Sequence, residues 1–198
     1  MSEPSELRTQ ASLLVRIRDA RDVPAWTAFV ELYGPVVYRY SRRRGVQDAD
    51  AADLLQEVLA EVARCIQEFQ YQPERGRFRD WLFTVTRRRL NRFFERKKRP
   101  GAAGEPAPLD LVAAQPADAE WTSEFNGQVL RAALERARPQ FEPETWRAFE
   151  RAWLEHQPAV AVAAELGIPV DKVYVAKSRV LKRLEQEVRL LAEDLPRL

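Results

Sequence analysis

Between Pro100 and Glu120 the chain carries four prolines, four acidic residues and no basic residue. Such a stretch has few large apolar side chains to bury and reads as a flexible linker. It cuts the 198 residues into two blocks, 1–99 and 121–198, each of which must build its own small core. A chain of this length accommodates one or two domains. Helical periodicity dominates both blocks, and with only seven glycines and few alternating β-branched runs the expected fold class is all-α, two small helical domains joined by the linker.

In the first block Thr9 can cap a short helix bearing Leu13, Leu14 and Ile17. Asp22 before Val23-Pro24 marks a second helix start, with Trp26, Phe29, Val30 and Tyr33 as the apolar stripe. Gly34-Pro35 is expected to break that helix and begin another, through Val36, Val37, Tyr38 and Tyr40, ending in Arg42-Arg43-Arg44-Gly45. From about Asp50, Leu54, Leu55, Val58, Val62, Ile66 and Phe69 recur at three- and four-residue steps. Asp53, Gln56, Glu57, Glu61 and Arg64 share the polar side of that helix, where solvent exposure is the default reading. Pro73 and Gly76 make Tyr71–Arg77 a loop. Helical spacing resumes with Phe78, Trp81, Leu82, Val85, Leu90 and Phe93.

Arg87 to Arg99 holds eight cations and one acid, Glu95. Arg87, Arg88, Arg92, Arg96 and Arg99 can line one side of a helix. Aromatic residues flank them, and cations beside aromatics suit a nucleic-acid strand held by its phosphates and stacked by its bases. Leu82, Val85 and Leu90 are core. Phe78 and Trp81 are divided between core packing and base capture.

In the second block Val129, Leu130, Ala133, Leu134 and Ala137 form one stripe, and Trp146, Phe149 and Trp153 another after Pro143. The segment from Pro158 to Leu184 then reads as a helix-turn-helix. Ala163 lies four residues before Gly167, and Val173 six after it. The small residue lets the helices touch, the glycine tolerates a left-handed turn, and the apolar residue locks the second helix. A helix over about Val170 to Leu191 would bury Val173, Ala176, Val180 and Leu184. Asp171, Lys172, Val175, Ser178, Arg179 and Lys182 fall on the opposite face, where a recognition helix meets duplex DNA.

The formal net charge of +2 says little about partners; the distribution of charge carries that argument. One cysteine, Cys65, and one histidine, His156, cannot make an intrachain disulfide or a zinc site by themselves. His156 reads as an exposed turn residue and Cys65 as a helix core-edge residue. With no phosphate loop or catalytic constellation, no enzyme, cofactor or metal is expected. Met1–Gln10 is polar, no run approaches a membrane span, and a reducing cytoplasm is the expected compartment.

Two segments resemble a known family. DAADLLQEVLAEVARCIQEF followed by RGRFRDWLFTVTRRRLNRFFERKKR is similar to region two of the extracytoplasmic-function (ECF) sigma factors of RNA polymerase. FEPETWRAFERAW through VYVAKSRVLKRL is similar to their region four. The resemblance covers about Ala11 to Leu191. It implies that Asp53, Gln56 and Glu57 dock on the clamp helices of the polymerase largest subunit. It implies that Tyr71, Arg77, Phe78 and Trp81, backed by Arg87, Arg88 and Arg92, open the minus-ten element and hold single-stranded promoter DNA. Region four would read the minus-thirty-five duplex through Asp171, Lys172, Val175, Ser178, Arg179 and Lys182, and would touch the polymerase flap. The linker would thread toward the active-site channel, and an anti-sigma protein is an implied regulator. Arg88 and Arg92 stand where the family often has asparagine and aspartate, so both add positive charge to the melting helix. The rival reading is a helix-turn-helix regulator that does not bind core polymerase. It leaves the first block without a role.

Overall fold

The computed structural model describes residues 9–66, 78–98 and 116–191, with the backbone alone for 9–12. Among these residues the secondary structure is helical throughout. The helices are α1 (Thr9–Arg16), α2 (Val23–Arg43), α3 (Asp48–Cys65), α4 (Phe78–Lys98), α5 (Ala119–Ala137), α6 (Pro143–Phe149), α7 (Ala159–Leu166) and α8 (Val170–Leu191). Two compact units result, and the division between them falls inside α5, between Gln128 and Val129.

The first unit is built on α2, which packs on α3, which in turn packs on α4. Asp22 caps α2 by accepting from the Ala25 amide at 3.0 Å, and the Arg16 guanidinium grips the same carboxylate at 2.7 and 2.8 Å. An N-terminal carboxylate satisfies an amide without a helical partner and complements the helix dipole.

Gly34-Pro35 does not end the helix. α2 runs unbroken through Pro35, contrary to the sequence expectation. A mid-helix proline has no N–H to offer the carbonyl four residues earlier, which here is that of Glu31. The side-chain amide of Gln128, from α5, donates to this Glu31 oxygen at 3.2 Å. Arg39 donates to the other end of the same amide at 2.8 Å. A neighbouring helix thus supplies the hydrogen bond that the proline removes. Because the helix is continuous, its buried stripe is Ala25, Phe29, Leu32, Tyr33, Val36, Val37 and Tyr40. Val30 lies outside it and Trp26 is only half-buried.

Trp121 and Phe125, one turn apart on α5, complete this core. Trp121 is fully buried against the Tyr40 and Phe83 rings, with centroids 5.3 and 5.6 Å away. Phe125 lies 6.2 Å from Tyr33.

In the second unit Val129, Ala133 and Ala137 of α5 are buried, while Leu130 is exposed. α6 widens into a π-type turn over Glu150–Leu154, which leaves Trp146 and Phe149 buried but turns Trp153 outward. Small residues let α6, α7 and α8 approach closely around Ala148, Val162, Ala163, Val173 and Ala176.

Candidate polymerase and nucleic-acid interfaces

α8 has the bounds expected from the sequence, and Val173, Ala176, Val180 and Leu184 are buried along it. α7 ends at Gly167 in the left-handed region, φ 65° and ψ 30°, and the Ile168 amide closes the turn on the Ala163 carbonyl at 3.0 Å. A side chain at Gly167 would meet no steric obstacle; the positive φ alone favours glycine. Asp171, Lys172, Val175, Ser178, Arg179 and Lys182 are all exposed on the face opposite the core. Tyr174, 57% exposed, stands among them one turn from Asp171 and Ser178. The sequence reading passed over it, although its helical position was sufficient to find it. Lys177 turns aside, its ammonium 4.3 Å from the Trp153 ring centroid.

α3 and α4 form the second candidate surface, and here the structure changes the expected picture. The polar side of α3 is not simply solvated. Glu61 is buried and accepts from Arg89 of α4 at 2.5 Å and from Arg64 at 2.6 Å. Burial pushes its carboxyl pKa up, but the hydrogen bonds from Arg64 and Arg89 outweigh this and hold it below its ordinary value. Glu57 is half-buried and pairs with Arg96 at 2.9 Å and Arg89 at 3.6 Å. Lys97 pairs with Asp50 at 2.9 Å. Three cations of the basic helix are thereby engaged by α3, because α4 lies close enough for its long side chains to reach back. Asp53 and Gln56 remain exposed. Asp53 and Glu57 line an open groove of about 300 Å³ with Leu54 and Phe93.

Arg87 is exposed and Arg88 and Arg92 are half-buried. Phe78 and Trp81 are core in this structure, 1% and 8% exposed. Phe78 packs against Tyr33, Trp81 and Phe29 with centroids at 5.3, 5.4 and 5.9 Å. Their burial fits the packing reading of the two. Tyr71 and Arg77 lie outside the described residues.

A third cluster was not anticipated. Arg39, Arg43 and Arg44, at the end of α2, meet acids just before and within the first turns of α5. Arg39 and Arg43 each pair with Glu124 at 2.7 Å. Arg44 pairs with Glu120 at 2.9 Å and also with Asp118. The Tyr40 hydroxyl donates to Asp118 at 2.8 Å, and burial followed by that acidic neighbour raises its pKa above the usual phenol range. Asp118 and Glu120 belong to the stretch read as linker. The detectable signal was Trp121 and Phe125 at helical spacing among acids of the opposite charge to Arg42–Arg44.

Residues 29–100 match the family model for Sigma-70 region 2. Over 193 residues the chain is 29% identical to the ECF RNA polymerase sigma factor RpoE of Cereibacter sphaeroides, covering 95% of this chain and 99% of that protein. It is 28% identical over 184 residues to the ECF RNA polymerase sigma factor SigE of Mycolicibacterium smegmatis, covering 93% of this chain and 68% of that one.

Proposed function

Because this chain belongs to the ECF RNA polymerase sigma factors, a family that directs core polymerase and is not enzymatic, we propose that it divides promoter recognition between its two blocks. The single observation that carries the reading is the exposed face of α8, where Asp171, Lys172, Val175, Ser178, Arg179 and Lys182 stand together behind a glycine-turned α7. That face suits the minus-thirty-five duplex. The N-terminal end of α8 meets base edges through Lys172, Tyr174, Val175 and Ser178, and Arg179 and Lys182 hold phosphates.

Asp53 and Gln56, with Glu57 at the rim of the α3–α4 groove, dock on the polymerase clamp helices. Their acidic and neutral character disfavours DNA at that surface. Arg87, Arg88 and Arg92 hold the separated minus-ten strand, with Tyr71 and Arg77 trapping an unstacked base. A sigma factor has no fuel for melting, so trapping supplies the free energy, about 1–3 kcal/mol per stacked base. Phe78 and Trp81 support that role from the core and do not stack on bases themselves. The flap of core polymerase and an anti-sigma protein are the further partners, and the cytoplasm is the place of action.

Run-off transcription with core polymerase on a genomic promoter library tests the reading. Promoter-specific transcripts that require the chain are expected. Duplex binding without any transcript would favour the regulator reading instead.

A further inference from the structure

We propose that residues 118–128 are a charge-held strap that keeps Arg39, Arg43 and Arg44 from a nucleic-acid backbone. The three guanidiniums cluster at the C-terminal end of α2, and among the described residues every carboxylate paired with them, those of Asp118, Glu120 and Glu124, comes from this one short segment. Glu124 is buried between two of the cations. The strap therefore presents to α2 the kind of surface a phosphate backbone would, closely spaced negative charge.

Two features point to reversible docking. The segment's anchors, Trp121 and Phe125, dock beside buried polar atoms: Trp121 Nε1 has no hydrogen-bond partner among the described residues, and Arg79 Nε of α4 has only the Asp80 carboxylate at 3.6 Å, beyond hydrogen-bond reach. Arg79 is the cation lying over the Phe125 ring, 5.5 Å from its centroid. A buried indole donor without a hydrogen bond weakens the docking of Trp121 relative to an ordinary core contact. Of the four ion pairs, the two to Asp118 and Glu120 lie at the surface, where salt screens them, and the two to Glu124 end on a buried carboxylate; the arginine side chains are between 34% and 56% exposed. Release exposes Tyr40 beside the cations, an aromatic and basic face of the type that takes up a nucleic-acid strand.

The test uses the full chain and a single-stranded 20-nucleotide DNA of arbitrary sequence, without polymerase. A strap-neutral variant (Asp118→Asn, Glu120→Gln, Glu124→Gln) is compared with Arg39→Ala/Arg43→Ala and with the combination. Asn at 118 retains a side-chain oxygen for the cap on the Trp121 amide, which Asp118 now provides at 2.8 Å. The neutral strap should raise affinity several-fold and steepen the fall of log affinity with log salt by about two, the released cations each adding about 0.7. In the Arg39→Ala/Arg43→Ala background most of that gain should vanish, leaving a slope change of about 0.7 for Arg44. An equal gain in both backgrounds would mean a general charge effect and would overturn the proposal. Should the neutral variant not fold, hydrogen exchange of the wild-type chain decides. Amides 119–128 exchanging faster than α3 and α4, and faster still in 0.5 M salt, support the strap. Exchange of all three together, insensitive to salt, overturns it. Neither measurement involves polymerase, so failure here is distinct from failure of the functional proposal.

Discussion

Replacing Arg89 with methionine should destabilise the first unit far more than replacing its neighbour Arg87. The Arg89 stem is 20% exposed and its guanidinium reaches Glu61 at 2.5 Å, where the carboxylate is only 7% exposed. Stranding a buried charge costs about 3–5 kcal/mol when no partner remains. Here Arg64 stays on Glu61 at 2.6 Å, from a side chain that is 58% exposed and therefore weakly held. The methionine also keeps the apolar stem packed, so the expected loss is about 2 kcal/mol. For a unit of this size that corresponds to a Tm fall of about 8 °C.

The loss should depend on pH. Glu61 titrates below its ordinary value of 4.5 in the folded chain, so the stabilisation it contributes is fully present above that value. It fades as pH falls through the lowered folded value. Once the carboxyl is protonated, little remains for Arg89 to stabilise. Urea titrations read through amide exchange of α3 and α4 peptides report this unit alone. The reasoning is refuted if Arg89→Met costs less than about 0.5 kcal/mol at pH 7, the size of an ordinary surface substitution. It is refuted equally if the cost is the same at pH 7 and at pH 3.

Gln128→Ala should weaken the first unit by about 1 kcal/mol, and much less in a Pro35→Ala background, because alanine restores the amide that the Glu31 carbonyl lacks; a double-mutant cycle in urea measures the coupling. Asp53→Arg with Gln56→Arg should abolish binding to core polymerase while leaving the far-UV circular dichroism unchanged, since both side chains are exposed. Arg179→Ala should weaken every duplex similarly and lower the salt slope by about one; a change in the preferred sequence instead would reassign that residue to base reading.

What the sequence made legible follows from how far each inference had to reach. α8 could be read to its bounds, and its two faces with it, because a long amphipathic helix carries its burial pattern in its own spacing. Gly167 could be placed because a left-handed turn between two short helices narrows the choice of residue. Pro35 was misread because the local rule was sound but the compensating hydrogen bond arrives from Gln128, 97 residues beyond the Glu31 carbonyl that it reaches. Trp121 and Phe125 were assigned to the second block by their position after the prolines, yet their rings fit a bed of Tyr33, Tyr40 and Phe83 that only the folded first unit creates. On α3, the helical wheel correctly grouped Asp53, Gln56, Glu57 and Glu61. It could not show which of them α4 would neutralise, since that depends on the facing helix.

The most direct test of the account is equilibrium binding of the full chain to core RNA polymerase in the absence of DNA. The account predicts a saturable one-to-one complex that survives Arg179→Ala with Lys182→Ala and is lost with Asp53→Arg and Gln56→Arg. A wild-type chain that binds duplex DNA through α8 yet forms no complex with core polymerase would contradict it.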